Sequence, residues 1–243
     1  MPNLFGVGVN LARFNFSDQS LTYLKHEKLL MKFSQSPETV LTIQSFVISV
    51  DPKISVVPEF LSTQECEHLI NLAEENTFCR SLVGRGKYSH NLPDPSAQLE
   101  NQYSENRTSM SVTLQPFQDA AVALIEHRLA GLVNMQVENL ESLVVVKYEA
   151  GQYFQQHLDG IFRAYTVFIF LNDLPDHGGG ETYFPIIGMR IKPRVGTALV
   201  WRNSFTDENG NIVEDDRLLH EGKSPVGCTK YGVNCFFNYN CMR

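Results

Sequence analysis

The sequence predicts an α+β fold, an all-β sandwich core with helices laid against one sheet face. Two observations carry that expectation: from about Leu140 onward the chain is almost entirely strand-like, and two earlier segments have helical signatures. No internal repeat is visible, so a solenoid is excluded. At 243 residues such a core fits in one domain, because sandwiches of this length commonly fold without splitting.

In chain order, the first 45 or so residues lack a clear motif, although the apolar spacing from Leu21 to Phe33 predicts a short amphipathic helix. Residues 1–45 are read as an N-terminal extension and 46–243 as the folded domain. Phe46 to Val50 reads as a strand. Ser62-Thr63-Gln64-Glu65 has the capping-box form and should start a helix that runs to about Asn76. A second helix is expected from Pro116 to about Leu132, with proline at the first helical position and Phe117, Ala120, Ala121, Leu124 and Ile125 near one face. Between the helices, Gly84 to Asn106 is polar, contains Gly86, Pro93 and Pro95, and shows little periodicity. Structureless stretches of about 20 residues are uncommon inside compact domains, so it reads as a lid or as a surface excursion. The runs Leu143–Tyr148, Thr166–Leu171 and Thr197–Trp201 are β-branched or aromatic and bounded by Gly, Pro, Asn and Asp, as short strands are.

Composition narrows the partners. With 43% hydrophobic and 19% charged residues the chain is globular rather than disordered. The formal charge of -7 and the lack of a Lys/Arg run disfavour nucleic acid. Leu4 to Ala12 is broken by Gly6, Gly8 and Asn10 without a cationic region before it, so no secretory signal is read, and no run reaches membrane-spanning length. Five cysteines without a C-x-x-C pair fit reduced thiols and a cytoplasmic location. A zinc site from Cys228, Cys235 and Cys241 is disfavoured, because structural zinc usually takes closely spaced ligand pairs.

His157-Leu158-Asp159 is weak evidence alone: with seven histidines, a chance Asp two places on arises roughly one time in three. On a strand, however, the two side chains would share a face and could bind one metal. His220, far away in sequence, supplies a third ligand, and two imidazoles with one carboxylate can occupy one face of an octahedral Fe(II). Ten residues later, Lys230 would share a strand face with Asn234, Phe236 and Asn238, while Tyr231, Val233, Cys235, Phe237 and Tyr239 form the apolar outer face. Lys230 then points inward, where an unpaired ammonium is costly and a bound carboxylate would remove the cost.

These residues resemble the 2-oxoglutarate-dependent dioxygenases, and among them the prolyl 4-hydroxylase type. The resemblance spans roughly Val56 to Asn240 and includes Arg107-Thr108-Ser109, Tyr148-Glu149-Ala150-Gly151-Gln152, Gly179-Gly180-Glu181-Thr182 with Phe184-Pro185, Pro193-Arg194-Val195-Gly196-Thr197-Ala198, His220-Glu221-Gly222, Pro225-Val226 and Lys230-Tyr231. It implies a double-stranded β-helix, or jelly roll, with iron at its open end. It also implies that His157, Asp159 and His220 ligate Fe(II), that Lys230 pairs with the distal carboxylate of 2-oxoglutarate, and that Tyr148 and Thr182 donate hydroxyl hydrogen bonds to it. The expected partners are O2 and a proline-containing peptide or protein, with ascorbate as a candidate reductant. Arg163 matches a substrate-facing position, and Phe236 stands where the family usually carries Trp, so both are candidate substrate contacts. Two alternatives remain: the same chemistry on another side chain or a small molecule, and a non-catalytic metal-binding jelly roll. His177 reads as a turn residue and Trp201 as core. Glu214-Asp215-Asp216 reads as a solvated loop that, if beside the site, would favour a cationic peptide.

Overall fold

The computed structural model describes residues 25–32, 40–85 and 100–243. The first half comprises β1 (Lys25–Lys32), β2 (Val40–Val50), β3 (Lys53–Val57), α1 (Thr63–Glu74), β4 (Cys79–Arg80), β5 (Val83–Arg85), β6 (Glu100–Gln102), β7 (Met110–Thr113) and α2 (Ala120–Val133). There follow β8 (Val144–Tyr148), β9 (Phe154–His157), β10 (Arg163–Phe170), β11 (Thr182–Phe184) and β12 (Met189–Ile191). The last strands are β13 (Ala198–Arg202), β14 (Ser204–Thr206), β15 (Ile212–Glu214), β16 (His220–Gly222) and β17 (Lys230–Asn238).

Alternation along the strands dictates three layers. A nine-stranded antiparallel sheet runs β1-β2-β3-β13-β10-β17-β8-β7-β4, and a four-stranded sheet runs β12-β11-β16-β9. On one face of the large sheet, Val145, Val167, Ile169, Val233, Cys235 and Phe237 pack against the buried sides of α1 and α2. On the other, Val146, Phe168, Phe170 and Trp201 meet Phe184, Met189 and Ile191 of the small sheet. Two antiparallel sheets face to face, with helices behind one of them, form the expected jelly roll with flanking helices. Two hairpins, β5–β6 and β14–β15, form separate two-stranded sheets.

α1 begins where expected: the Ser62 hydroxyl accepts from the Glu65 N–H at 3.2 Å, and Glu65 Oε2 accepts from the Ser62 N–H at 2.8 Å. α2 starts at Ala120, four residues later than the sequence suggests. Asp119 caps it by accepting from the Val122 N–H at 2.8 Å, and Phe117 adopts φ 53, which no α-helix accommodates. The buried face is accordingly Val122, Ile125 and Leu129, while Leu124 is exposed.

Lys25–Lys32 is a strand rather than the expected helix, paired with β2 from Lys25↔Val47 to Lys32↔Val40. An isolated helix shorter than about 12–15 residues is marginal by itself, and the free edge of β2 offers a full ladder of backbone hydrogen bonds instead. The division at residue 46 falls inside β2, so β1 and the first half of β2 continue the large sheet. The ends of the Gly84–Asn106 segment pair as β5 and β6, from Val83↔Gln102 to Arg85↔Glu100. Residues 86–99, on which the lid expectation mostly rests, lie outside the described residues. All five cysteines are free thiols, and Cys228, Cys235 and Cys241 form no metal-capable group among the described residues. No helix of the described residues is long and apolar enough to cross a membrane.

Gly196 joins the layers at the turn into β13. Its carbonyl accepts from the Leu61 N–H at 3.1 Å, its own N–H donates to the Phe170 carbonyl at 2.9 Å, and its φ is 73. A Cβ there would collide with the Leu61 carbonyl oxygen, a backbone atom that cannot swing aside. Gly196→Ala should therefore cost at least about 2 kcal/mol and lower the thermal midpoint by roughly 4–8 °C. A calorimetric midpoint equal to that of the parent would show that the turn tolerates a side chain.

Candidate active site

The site begins with a strand register. β9 and β16 are antiparallel neighbours with His157 directly opposite His220, and the two rings lie 4.3 Å apart. Asp159 is not on the same strand, as its spacing had suggested, because β9 ends at His157. Backbone contacts hold it just beyond: an Arg163 N–H donates to the Asp159 carbonyl at 3.0 Å, and the Gly160 N–H donates to Glu214 Oε1 at 3.0 Å.

Asp159 Oδ1 lies 3.6 Å from His157 Nε2, and Oδ2 lies 3.8 Å from His220 Nε2. These distances exceed those of hydrogen bonds and suit ligands sharing one ion at about 2.1 Å each. Among the described residues this trio is the one group of His, Cys, Asp or Glu able to hold a metal, its ligand atoms all within 4.8 Å of one another.

The chemistry of the donors fits as well. His157 Nδ1 is 2.8 Å from the Gln155 carbonyl and His220 Nδ1 is 2.9 Å from the Leu218 carbonyl. A carbonyl only accepts, so each Nδ1 carries the proton and each Nε2 keeps its lone pair for a metal. Burial, reinforced by the His157 imidazole, pushes His220 down to about 4, which leaves it neutral near pH 7. Burial alone would raise the Asp159 carboxyl, but the two imidazoles and the Arg163 guanidinium overcome it and hold the group well below the usual carboxylate range. The Thr166 hydroxyl donates to Asp159 Oδ2 at 2.7 Å and accepts from the Asn203 amide at 2.9 Å. Phe154 stacks on His157 at 3.5 Å, and Trp201 meets His220 edge-on at 5.0 Å, so the expected core tryptophan also walls the metal-binding group.

A cleft of about 1100 Å³ opens on these residues. Lys230 lies inside it, paired in register with Tyr148 and 1% exposed. Its Nζ sits 5.0 Å from the Tyr148 ring, 5.2 Å from Phe168 and 5.5 Å from Phe170. No carboxylate of a described residue pairs with it, and burial pushes the ammonium down to about 7 against a weak opposing pull from Glu181. Such a group suits a ligand carboxylate, which would supply the missing counter-charge. Tyr148 and Thr182, both buried, line the same cleft. Burial raises the Tyr148 phenol further, so its hydroxyl keeps a proton to donate.

Arg163 and Phe236 form one wall, with the guanidinium 3.6 Å above the Phe236 ring. Arg163 is bidentate to Glu141, 2.9 Å on both arms, and Asn238 donates to the same carboxylate at 2.6 Å. His177 is an exposed turn residue, as expected. The sequence did not single out Thr166, Asn203, Glu141 or Phe154 as site residues. Thr166 had a detectable signal, since it shares the inward parity of Phe168 and Phe170; Asn203, beyond the end of β13, had none.

Removing the hydroxyl that aims Asp159 tests this arrangement without touching a ligand. Thr166→Val should weaken Fe(II) or Mn(II) binding by about 10- to 100-fold in calorimetric titration. Unchanged affinity would mean that the carboxylate needs no outer partner.

Comparison with known proteins agrees with the geometry. Residues 143–238 match the family model of the 2OG-Fe(II) oxygenase superfamily. Probable prolyl 4-hydroxylase 6 of Arabidopsis thaliana is 33% identical over 236 positions, covering 82% of this chain and 74% of the relative. Probable prolyl 4-hydroxylase 11 of the same plant is 32% identical over 170 positions and covers 64% of this chain, and the chain spans only 58% of that relative's length. In three dimensions the chain resembles the viral collagen prolyl hydroxylase of Paramecium Bursaria Chlorella virus-1, solved with 2OG, with a TM-score of 0.58 at 23% identity, covering 75% of this chain and 94% of that one. The chain belongs to the 2OG-Fe(II) oxygenase superfamily, and within it to the prolyl 4-hydroxylases.

Proposed function

We propose that this chain is an Fe(II)- and 2-oxoglutarate-dependent dioxygenase that hydroxylates prolyl residues of a peptide or protein. One observation carries the proposal: a buried ammonium that no carboxylate of a described residue pairs with shares a cleft with a His–Asp–His group whose donor atoms face one point. His157, Asp159 and His220 would hold the iron on one face, leaving its other positions to co-substrate and oxygen. Lys230 would pair with the distal carboxylate of 2-oxoglutarate, with hydroxyl hydrogen bonds from Tyr148 and Thr182. When bound, iron and 2-oxoglutarate supply the oxidation, in which O2 places one oxygen atom on a substrate C–H bond and the other in succinate, with release of CO2. The protein orients the reactants and, through Phe154, Phe184 and Trp201, shields the metal-binding imidazoles from water.

The names of the relatives support a proline-containing substrate, and so does the shape of the site. An open groove suits an extended polyproline II segment, whose ordering cost is already low. A pyrrolidine ring would pack against the Arg163–Phe236 stack rather than a bare aromatic face. Five free thiols support a reducing compartment, the cytoplasm, and ascorbate is the proposed reductant. The net charge of -7 supports a peptide over a nucleic-acid partner.

Mass spectrometry of proline-containing peptides incubated with Fe(II), 2-oxoglutarate and O2 should show the gain of one oxygen on proline, matched by succinate. Phe236→Ala should reduce peptide hydroxylation more than uncoupled 2-oxoglutarate decarboxylation. A broad library without hydroxyproline, alongside efficient oxidation of a small molecule, would overturn the prolyl assignment.

Lys230 also predicts a pH signature. Only the ammonium form pairs with a carboxylate, and its folded-state value of about 7 lies below the ordinary lysine value, so the charge is present below that pH and lost above it. Affinity for 2-oxoglutarate, titrated with Mn(II) in place of iron, should be flat below about pH 7 and fall by up to about tenfold per pH unit above it. Lys230→Arg keeps its charge throughout and should flatten the profile while weakening binding through altered geometry. An equally steep profile in that variant would exclude Lys230 as its source.

A further inference from the structure

Glu214 is the one member of the Glu214-Asp215-Asp216 run that lines the cleft. Asp215 is taken up by Arg217, whose Nε and terminal nitrogen donate to it at 2.8 and 2.7 Å, and Asp216 is exposed. Glu214 closes β15 and faces the cleft beside the Asp159 connection, accepting the Gly160 N–H on Oε1 at 3.0 Å. No arginine, lysine or histidine of a described residue pairs with it. Burial and the negative neighbours Asp159 and Asp216 make its charge costly.

Two arginines of the cleft have acid partners. Arg163 is matched by Glu141, and Arg80 by Glu105. In the loaded site the charges of Fe(II), Asp159, the 2-oxoglutarate dianion and Lys230 sum to zero. Arg107 pairs with no carboxylate among the described residues either, but it stacks on Phe154 at the start of β9 at 4.5 Å, whereas Glu214 binds Gly160 beyond the end of that strand. A bound substrate therefore meets an uncompensated carboxylate just past the metal-binding residues.

We infer that Glu214 docks a cationic side chain of the substrate, so that the preferred peptide carries lysine or arginine close to its target residue. This deepens the prolyl-peptide assignment and rests on it. The Oε1 tie to Gly160 fixes the carboxylate in place, and no described residue bonds Oε2, the oxygen that would meet the incoming cation.

The test is a peptide series built around one proline, with lysine or glutamine placed in turn at each flanking position. Binding is read by fluorescence anisotropy on the full chain loaded with Mn(II) and 2-oxoglutarate, where no turnover occurs. At one or more positions the lysine peptide should bind about tenfold more tightly than its glutamine counterpart. Glu214→Gln can still accept the Gly160 N–H but has no charge, and should bring that ratio close to one; Glu214→Asp should restore part of it. Equal binding of lysine and glutamine peptides at every position overturns the inference, and so does a preference that survives Glu214→Gln. Oxygen gain on the same peptides with the iron-loaded protein reads the prolyl assignment separately. A lysine preference lost in Glu214→Gln but without hydroxyproline supports the docking role while the prolyl assignment fails; hydroxyproline without a preference has the opposite meaning.

Discussion

Pairing of β9 with β16 is the constraint on which the site depends. It brings together two histidines 63 residues apart in the sequence and turns both rings toward one point. A strand displaced by a single residue would turn its side chains to the opposite face, so this register cannot drift without dismantling the metal-binding group. Each imidazole is then locked by the backbone that leads into it: the carbonyl two residues earlier, of Gln155 in β9 and of Leu218 just before β16, accepts a hydrogen bond from Nδ1–H. Asp159 lies outside the strand and needs separate support, which Arg163 and Thr166 provide from β10 and Glu214 from β15.

The long strand β17 couples this chemistry to the stability of the fold. Val233, Cys235 and Phe237 are fully buried against the helical layer, and the alternating residues Lys230, Asn234 and Phe236 line the cleft. Burying the Lys230 ammonium without a partner opposes folding, and the apolar side of the same strand offsets that cost. The Lys230 end of the cleft is therefore held in a strained electrostatic state by packing on the opposite face of the strand.

Much of this was legible in the sequence because the informative patterns were local or had a fixed period. The capping box at Ser62 and the alternation along β17 each depend on few residues, and the proximity of His157 and Asp159 was legible although their shared strand was not. What escaped depended on tertiary context. Lys25–Lys32 has helix-compatible spacing but lies beside an open strand edge, and Pro116 resembles a helix start until the backbone at Phe117 excludes it. Asn203 gave no sign, because its role is to hold the hydroxyl of a threonine 37 residues away. The pairing of Arg163 with Glu141 joins residues 22 apart through a fold that no sequence period reveals.

The β14–β15 hairpin has a consequence of another kind. It forms a two-stranded sheet of its own, between β13 and β16 in chain order and outside both main sheets, and Glu214 at its end lines the cleft. Lengthening a surface loop costs little chain entropy, about 0.6 kcal/mol for each doubling. The turn of the hairpin, residues 207–211, lies outside the cleft lining and can gain, lose or exchange residues over generations while Glu214 and the strands of His157 and His220 keep their places. The architecture thereby separates what must be inherited unchanged, Glu214 included, from a turn that is free to diversify.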